Sequence, residues 1–152
     1  MRDSYPSSSP PDQKGRAVLP DGTTHIDGED DIVYVRKQVR DLASGIGFNL
    51  TDVTRIITAA SELARNIYRY AGKGRMKYAV LHQRGAVGIE LEFQDEGPGI
   101  ADIPQAMEPG YTTSRGLGLG LPGSKRMMDE FHVWSEVGKG TIVTIRKWKR
   151  NN

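Results

Sequence analysis

At the centre of this sequence lies the segment Ile57-Thr58-Ala59-Ala60-Ser61-Glu62-Leu63-Ala64-Arg65-Asn66-Ile67-Tyr68, whose apolar residues recur at helical spacing. The apolar stripe of the predicted helix comprises Leu50, Val53, Ile56, Ile57, Ala60, Leu63, Ala64, Ile67 and Tyr70. We expect the helix to end at Ala71-Gly72-Lys73-Gly74, because glycines are typical stop signals. Glu62 and Asn66 lie one turn apart, so their side chains share one face of this helix.

Regular elements are predicted on both sides of this central helix. An earlier helix begins at Asp31, with Asp30 or Asp31 as its cap and with Gly45 and Gly47 as stop signals. A third helix opens at Pro122 and runs through Met127, Met128 and Phe131, and strands are predicted over 76–83, 87–94, 133–136 and 141–148. Antiparallel hairpins with separate helices predict an α+β fold: a two-layer sandwich of a mixed, mostly antiparallel sheet with helices on one face.

Composition is typical of a protein with one compact domain. The chain has 152 residues, of which 37% are hydrophobic, enough for a single core. Residues 1–24 are rich in proline and serine, so we expect a disordered extension followed by one domain over 25–150. We find no membrane-spanning run, no signal peptide and no cysteine, which favours the cytoplasm and excludes disulfides and thiolate metal sites.

The charge balance argues against nucleic acid as a partner. The formal net charge of +2 arises from 21 basic and 19 acidic residues, whereas a groove for a phosphate backbone usually carries a clear basic excess. We interpret the basic tail Arg146-Lys147-Trp148-Lys149-Arg150 as the solvated end of the last strand. Neither nucleic acid nor a membrane is therefore expected as a partner.

Glu62 and Asn66 carry the first candidate chemistry. Magnesium prefers oxygen ligands and often takes only one or two from the protein beside nucleotide phosphates, so the Asn66 carboxamide oxygen is a candidate ligand. Glu62 could then accept the proton of a hydroxyl that attacks a γ-phosphate. The alternative is that Glu62 pairs with Arg65 or Arg69 on a solvated helix face, because short motifs recur by chance.

Asp95 follows a predicted strand and begins the segment Asp95-Glu96-Gly97-Pro98-Gly99. Its carboxylate could accept a hydrogen bond from the exocyclic amine of adenine and would repel the carbonyl oxygen of guanine. Gly97 and Gly99 would let the backbone approach the base closely. The alternative is an ordinary turn between two elements.

Gly116, Gly118 and Gly120 precede the third helix, where glycines can turn several backbone N–H groups toward an anion. The spacing lacks the lysine of a P-loop and does not follow a strand, so it also fits a merely flexible segment. Residues 101–117 would form a mobile cover over a nucleotide. Arg115 in this cover could bind phosphate oxygens through its guanidinium, and the alternative is a surface arginine.

Thr141 is the last candidate along the chain. It follows Gly138-Lys139-Gly140 and could place a hydroxyl near the base. The alternative is an ordinary β-branched residue at the start of a strand.

In order and spacing, these motifs resemble the nucleotide site of the GHKL ATP-binding superfamily. Glu62…Asn66 is similar to its N box, Asp95-x-Gly97-x-Gly99 followed by Ile100 to its G1 box, and Gly116-x-Gly118-x-Gly120 to its G2 box. Thr141 falls where the superfamily carries its last threonine. Longer strings, including Tyr70-Ala71-Gly72-Lys73-Gly74 and Met128-Asp129-Glu130-Phe131, resemble the anti-sigma-factor type serine/threonine kinases of this superfamily.

This resemblance implies the Bergerat ATP-binding fold, with ATP and magnesium as ligands and Glu62 as the catalytic residue. It implies that the nucleotide is contacted by Asn66, Asp95, Gly97, Gly99, Ile100, Arg115, Gly116, Gly118, Gly120 and Thr141. Asn66 would also hold the metal. The implied reaction is phosphorylation of serine or threonine on STAS-domain scaffold proteins, followed by activation of a PP2C-type phosphatase in bacterial stress signalling.

Two other functions stay open at this point. The first is a module that binds ATP without turnover, for example an anti-sigma factor or an activator of a phosphatase. The second is the catalytic fragment of a sensor histidine kinase. The short segment between Gly99 and Gly116 disfavours this second alternative.

Overall fold

A six-stranded mixed sheet forms one layer of the structure. The computed structural model describes residues 3–4, 22–108 and 120–150. Its strands are β1 (Asp3–Ser4), β2 (Gly22–Ile26), β3 (Gly74–Gln83), β4 (Ala86–Asp95), β5 (Glu130–Glu136) and β6 (Gly140–Trp148). They lie in the order β1-β5-β6-β4-β3-β2, and every pairing is antiparallel except that of β1 with β5.

Helices form the second layer. They are α1 (Glu29–Ile46), α2 (Leu50–Asn66), α3 (Ile103–Ala106) and α4 (Leu121–Met127), and a π-helical turn (Ile67–Ala71) continues α2. The alternating β4 residues Ile89, Leu91 and Phe93 share one buried core with Ile56 and Leu63 of α2. The predicted α+β sandwich is thereby confirmed. Within the described ranges, no helix is long and apolar enough to cross a membrane.

The end of α1 and the start of α2 are each explained by one residue, Gly47 and Asn49 respectively. α1 stops before Gly47, which adopts the left-handed conformation with φ of 105°, as glycine does without strain. Asn49 caps α2, because its Oδ1 accepts a hydrogen bond from the backbone N–H of Asp52 at 2.8 Å. These contacts satisfy backbone groups that a helix end leaves without an internal partner.

The start of α1 differs from the prediction. Gly28 occupies the cap position without a side-chain hydrogen bond, so the cap predicted at Asp30 or Asp31 is wrong. Asp31 lies within the first turn, where its Oδ2 accepts a hydrogen bond from the backbone N–H of Asp27 at 2.9 Å. Acidic side chains in a first turn still stabilise a helix through its dipole.

Two boundaries also differ. Phe131, which we assigned to the third helix, lies in β5, because α4 already ends at Met127 and the following residues alternate between faces of the sheet. Residues 22–24, which we placed in the disordered extension, belong to β2 and pair with β3. Asp3 and Ser4 pair with β5 at the opposite edge. The remaining extent of the extension lies outside the described residues.

Lys147 links the last strand to two helices. Its Nζ donates a hydrogen bond to the Met127 carbonyl oxygen at 3.0 Å and lies 3.8 Å from a carboxylate oxygen of both Asp52 and Asp129. The side chain is only 5% exposed, so our interpretation of the basic tail as wholly solvated is wrong. A buried ammonium is tolerated where carboxylates and a carbonyl oxygen replace water. Lys147 therefore fixes the end of α4 relative to the start of α2.

Candidate functional site

A cavity of about 310 Å³ lies where α2 meets the ends of β4 and β6. Its size is that of a small-molecule site. Its walls are mainly apolar and include Leu63, Ile67, Tyr70, Ala71, Phe93, Pro98, Ile100, Ala101, Ala106, Leu121 and Val143. Among the predicted site residues, Asn66, Asp95, Gly99, Ile100 and Thr141 all line this cavity. The structure thus brings together motifs that are far apart in sequence.

Asp95 is the acidic group of the strand end. It closes β4, opposite Thr141 of β6, and its Oδ1 accepts a hydrogen bond from the backbone N–H of Gly97 at 2.8 Å. Burial raises the pKa of Asp95, while hydrogen bonds from the backbone N–H groups of Gly97 and Thr141 oppose that rise. A partly buried carboxylate of this kind can accept a hydrogen bond from an amine that enters the cavity.

Gly97 and Gly99 are required by close packing of the protein against itself. A Cβ atom at Gly97 would lie 2.6 Å from the Ala71 Cβ. Gly99 has φ of +80°, and a Cβ atom there would lie 2.4 Å from the carbonyl oxygen of Glu136. Both positions therefore exclude any side chain, and their predicted approach to a base stays a prediction.

Ser135 organises this end of the cavity, although we did not identify it from the sequence. Its Oγ accepts a hydrogen bond from the Ile100 N–H at 2.7 Å and donates one to the Gly140 carbonyl oxygen at 2.9 Å. The Thr141 Oγ1 lies 2.9 Å from the same Oγ. Because a serine hydroxyl has a single proton, Thr141 is the donor in that contact. The lone pairs of the Thr141 Oγ1 therefore remain available to accept a hydrogen bond from a ligand.

Glu62 and Asn66 flank the other end of the site. Asn66 is the last residue of α2, and its carboxamide oxygen is buried at the cavity wall. Glu62 is outside the cavity lining, and a Cβ atom at Gly120 would lie 2.7 Å from its Oε2. Its Oε1 accepts a hydrogen bond from the Arg65 Nη1 at 2.9 Å. The ion pair of our alternative interpretation is therefore present, and the carboxylate also lies beside Gly120.

Most of the residues predicted to form the G2 box, Gly116-x-Gly118-x-Gly120, and the preceding Arg115 have no described position. Arg115, Gly116 and Gly118 lie outside the described residues, so their roles stay predictions. Gly120 is described, has φ of +63° and immediately precedes α4. Gly120, the last glycine of the predicted G2 box, therefore lies beside Glu62 of α2.

The described residues fit magnesium bound beside a nucleotide rather than a metal held by protein alone. In the ranges 22–108 and 120–150, no group of three or more histidine, aspartate and glutamate side chains could hold an ion. Magnesium needs only one or two protein ligands when phosphates and water supply the rest. The buried carboxamide oxygen of Asn66 is an oxygen donor of the required type.

Tyr70 lines the cavity, and the sequence did not indicate a role for its hydroxyl. We placed it on the apolar stripe of the helix, but it lies in the π-helical turn and its ring lines the cavity. Its hydroxyl is buried and has no hydrogen-bond partner in the described part of the chain. A buried hydroxyl without a partner is unfavourable, so Tyr70 can bind a polar atom of a ligand.

Comparison with known proteins finds relatives that are similar in sequence and a solved structure that is similar in fold. Residues 51–151 match the profile of the histidine kinase-, DNA gyrase B-, and HSP90-like ATPases. The chain is 51% identical to serine/threonine-protein kinase RsbT of Bacillus subtilis, over 79% of this chain and 90% of the relative. It is 35% identical to an anti-sigma F factor of Clostridium acetobutylicum, over 75% of this chain and 82% of the relative.

Among solved structures, the RsbU and RsbW domains of Rv1364c from Mycobacterium tuberculosis match with a TM-score of 0.59. The alignment covers 88% of this chain at 18% identity and 34% of the longer chain. At that identity the likeness concerns the fold alone. The family profile and the 51% identity to RsbT confirm the GHKL resemblance indicated by the motifs.

Proposed function

Because the chain belongs to the family of histidine kinase-, DNA gyrase B-, and HSP90-like ATPases, we propose that it transfers the γ-phosphoryl group of ATP to a serine or threonine of another protein. The observation that carries this proposal is the position of Glu62, one turn before the cavity-lining residue Asn66 and beside Gly120. The 51% identity to a protein named serine/threonine-protein kinase supports the same reaction.

Adenine binding is assigned to the strand-end side of the cavity. Asp95 accepts a hydrogen bond from the exocyclic amine, and Thr141 contributes its hydroxyl oxygen within reach of the same ring. The apolar walls around Phe93 and Val143 exclude water from the faces of the base. Gly97, Gly99 and Ile100 form the loop that closes against it. A guanine carbonyl oxygen at the position of the amine would meet the Asp95 carboxylate and be repelled.

Phosphate binding is assigned to the α2 side. Asn66 would hold magnesium through its carboxamide oxygen, and the bound ion would neutralise charge on the phosphates. Arg115, Gly116, Gly118 and Gly120 contribute the guanidinium and backbone N–H groups that contact phosphate oxygens. This division places the reacting end of the nucleotide near Glu62.

Glu62 acts as the general base. Its carboxylate accepts the proton of the attacking serine or threonine hydroxyl while that hydroxyl oxygen bonds to phosphorus. Phosphoryl transfer otherwise depends mainly on positioning and on charge stabilisation. The base must therefore be held within hydrogen-bond reach of the acceptor hydroxyl.

The acceptors that we propose are STAS-domain scaffold proteins, and the second partner is a PP2C-type phosphatase. Phosphorylation of the scaffold would release the kinase, which would then bind and activate the phosphatase. Support for partner exchange comes from the similarity both to RsbT and to anti-sigma F factors. Phosphoryl transfer would thus determine which of the two partners the chain binds.

A second candidate function is a module that binds ATP and a partner without turnover. The several relatives that are named anti-sigma F factors favour this alternative. Both functions need the same cavity, but only the kinase needs the carboxylate of Glu62. That residue therefore separates the two functions.

Incubation of the purified chain with labelled ATP, magnesium and the STAS proteins of the same genome tests the proposal. The parent should label one STAS protein on serine or threonine, whereas Glu62→Gln should abolish labelling and keep ATP affinity within about threefold, since the amide preserves shape but accepts no proton. Asn66→Ala should lose magnesium-dependent nucleotide binding in titration calorimetry. Labelling by the Glu62→Gln variant at the parental rate would disprove the assignment of the base. Tight ATP and partner binding by the parent without labelling would favour the second function.

A further inference from the structure

The Glu62 carboxylate has a different neighbour at each oxygen. Oε1 accepts a hydrogen bond from the Arg65 Nη1 at 2.9 Å. Oε2 lies beside Gly120, where the site of a Cβ atom would be only 2.7 Å away. Arg65 belongs to the same helix, three residues further on, and directly precedes Asn66. The carboxylate is therefore bound by Arg65 at one oxygen and lies beside Gly120 with the other.

This ion pair contributes little to folding. Both side chains are 38% exposed, and pairs of that kind between neighbouring helix turns stabilise proteins only weakly. The same helix contains another pair three residues apart, exposed Arg55 with buried Asp52, at 3.3 Å and away from the cavity. The small contribution of this ion pair to the free energy of unfolding therefore does not by itself explain why residue 65 is an arginine.

We propose that Arg65 is a positioning residue for phosphoryl transfer. It binds Oε1 of Glu62 and so presents Oε2 to the acceptor hydroxyl beside Gly120. This inference rests on the proposed kinase function. In the transfer step, the acceptor oxygen bonds to the γ-phosphorus, the bond from that phosphorus to the bridging oxygen breaks, and ADP leaves with the electron pair. The hydroxyl proton passes to Oε2, from which water removes it afterwards.

The geometry of the two side chains explains why arginine suits this position. Glutamate has three rotatable side-chain bonds, and an unrestrained carboxylate at a half-exposed site spends much of its time in unproductive rotamers. A guanidinium is planar, permanently charged and directional, so its Nη1 contact restrains the position of the carboxylate. Lysine retains the charge and has three rotatable donors but lacks the planar guanidinium group. Substitution by lysine should therefore preserve part of the effect.

The experiment compares the parent with Arg65→Ala, Arg65→Lys and the matched control Arg55→Ala. Arg55 lies ten residues earlier on α2, about 15 Å along the helix axis. For each protein, kcat is measured at saturating ATP and STAS acceptor, and the Kd for ATP is measured by calorimetry. Thermal unfolding by circular dichroism verifies that all four proteins fold.

We expect Arg65→Ala to lower kcat by about ten- to hundredfold, because a misplaced catalytic group has effects of that size. Its Kd for ATP should stay within about twofold, since the cavity contacts are unchanged. Arg65→Lys should lie between the parent and Arg65→Ala, and millimolar guanidinium chloride should restore part of the activity of Arg65→Ala. Arg55→Ala should match the parent.

Three results would overturn the inference while leaving the kinase function intact. One is a parental or raised kcat in Arg65→Ala. Another is an equal fall in Arg55→Ala, which would indicate a general effect of helix charge. The third is Arg65→Lys no better than Arg65→Ala, together with no rescue by guanidinium. Absence of transfer in the parent would instead refute the proposed function itself, so the two failures are distinguishable.

Discussion

Replacing Gly99 by alanine tests whether the loop beside the cavity depends on a residue without a side chain. Gly99 has φ of +80°, a conformation that costs alanine about 1–2 kcal/mol. The added Cβ would lie 2.4 Å from the Glu136 carbonyl oxygen and 3.0 Å from the Val137 Cα, both backbone atoms. Such an overlap forces the backbone to shift and costs about a further 1–3 kcal/mol. The free energy of unfolding should therefore fall by about 2–5 kcal/mol in total.

Gly72→Ala is the matched control for this change. Gly72 has a similar φ of +83°, with ψ of −40°, but no atom lies within 4 Å of an added Cβ. Its free energy of unfolding should fall by only about 1–2 kcal/mol. Urea unfolding monitored by circular dichroism measures both variants, and their m-values should agree with the parent if the unfolded states are alike. Equal destabilisation of the two variants would refute the reasoning, because the close contacts with Glu136 and Val137 arise only at Gly99.

Other variants probe Asp95 in the cavity wall, Ser135 next to the lining residues Ile100 and Thr141, and the buried Lys147 elsewhere in the fold. Asp95→Asn should reduce the preference for ATP over GTP in calorimetry, and a parent without any preference would contradict this role. Since burial raises the pKa of Asp95, ATP affinity of the parent should weaken as pH falls through that raised value, and Asp95→Asn should lack this dependence. Over the same interval the folded chain holds the proton more tightly than the unfolded chain, so the Asp95 contribution to the free energy of unfolding should rise as pH falls. Ser135→Ala should lower stability by about 1–3 kcal/mol, because the Ile100 N–H loses its acceptor; unchanged urea unfolding and ATP affinity would contradict that. Lys147→Met should cost about 3–5 kcal/mol, since two carboxylates lose a buried cation, and a melting temperature equal to that of the parent would oppose this account.

The helices and strands of the domain were largely predictable, because apolar periodicity reflects which face of an element is buried. Glycine at position 47 and asparagine at position 49 end and begin helices for local reasons that the sequence displays. Phe131 was misassigned because an apolar residue shortly after a helix fits both a helical and a strand period. Only its pairing with Ile145 of β6 decides between them.

The candidate site was predictable where a motif sits at the end of an element. Asp95 and Asn66 both end their elements and line one cavity. Ser135 and Tyr70 were missed, because a serine in a strand and a tyrosine on an apolar stripe carry no distinctive spacing. Their roles depend on tertiary contacts. The Ser135 hydroxyl joins the Ile100 N–H to the Gly140 carbonyl oxygen, and Tyr70 of the π-helical turn lines the cavity.

The hairpin between β5 and β6 is attached to the loop beside the cavity by two hydrogen bonds. The Gly138 N–H donates to the Pro98 carbonyl oxygen at 2.9 Å, and the Ile100 N–H donates to the Ser135 Oγ at 2.7 Å. Val137 at the tip is 65% exposed, and the chain contains no cysteine. A thiol introduced at this position would therefore be the single attachment point for a fluorophore. Such a reporter would follow loop displacement in real time, so that nucleotide entry and partner exchange could be watched in one molecule.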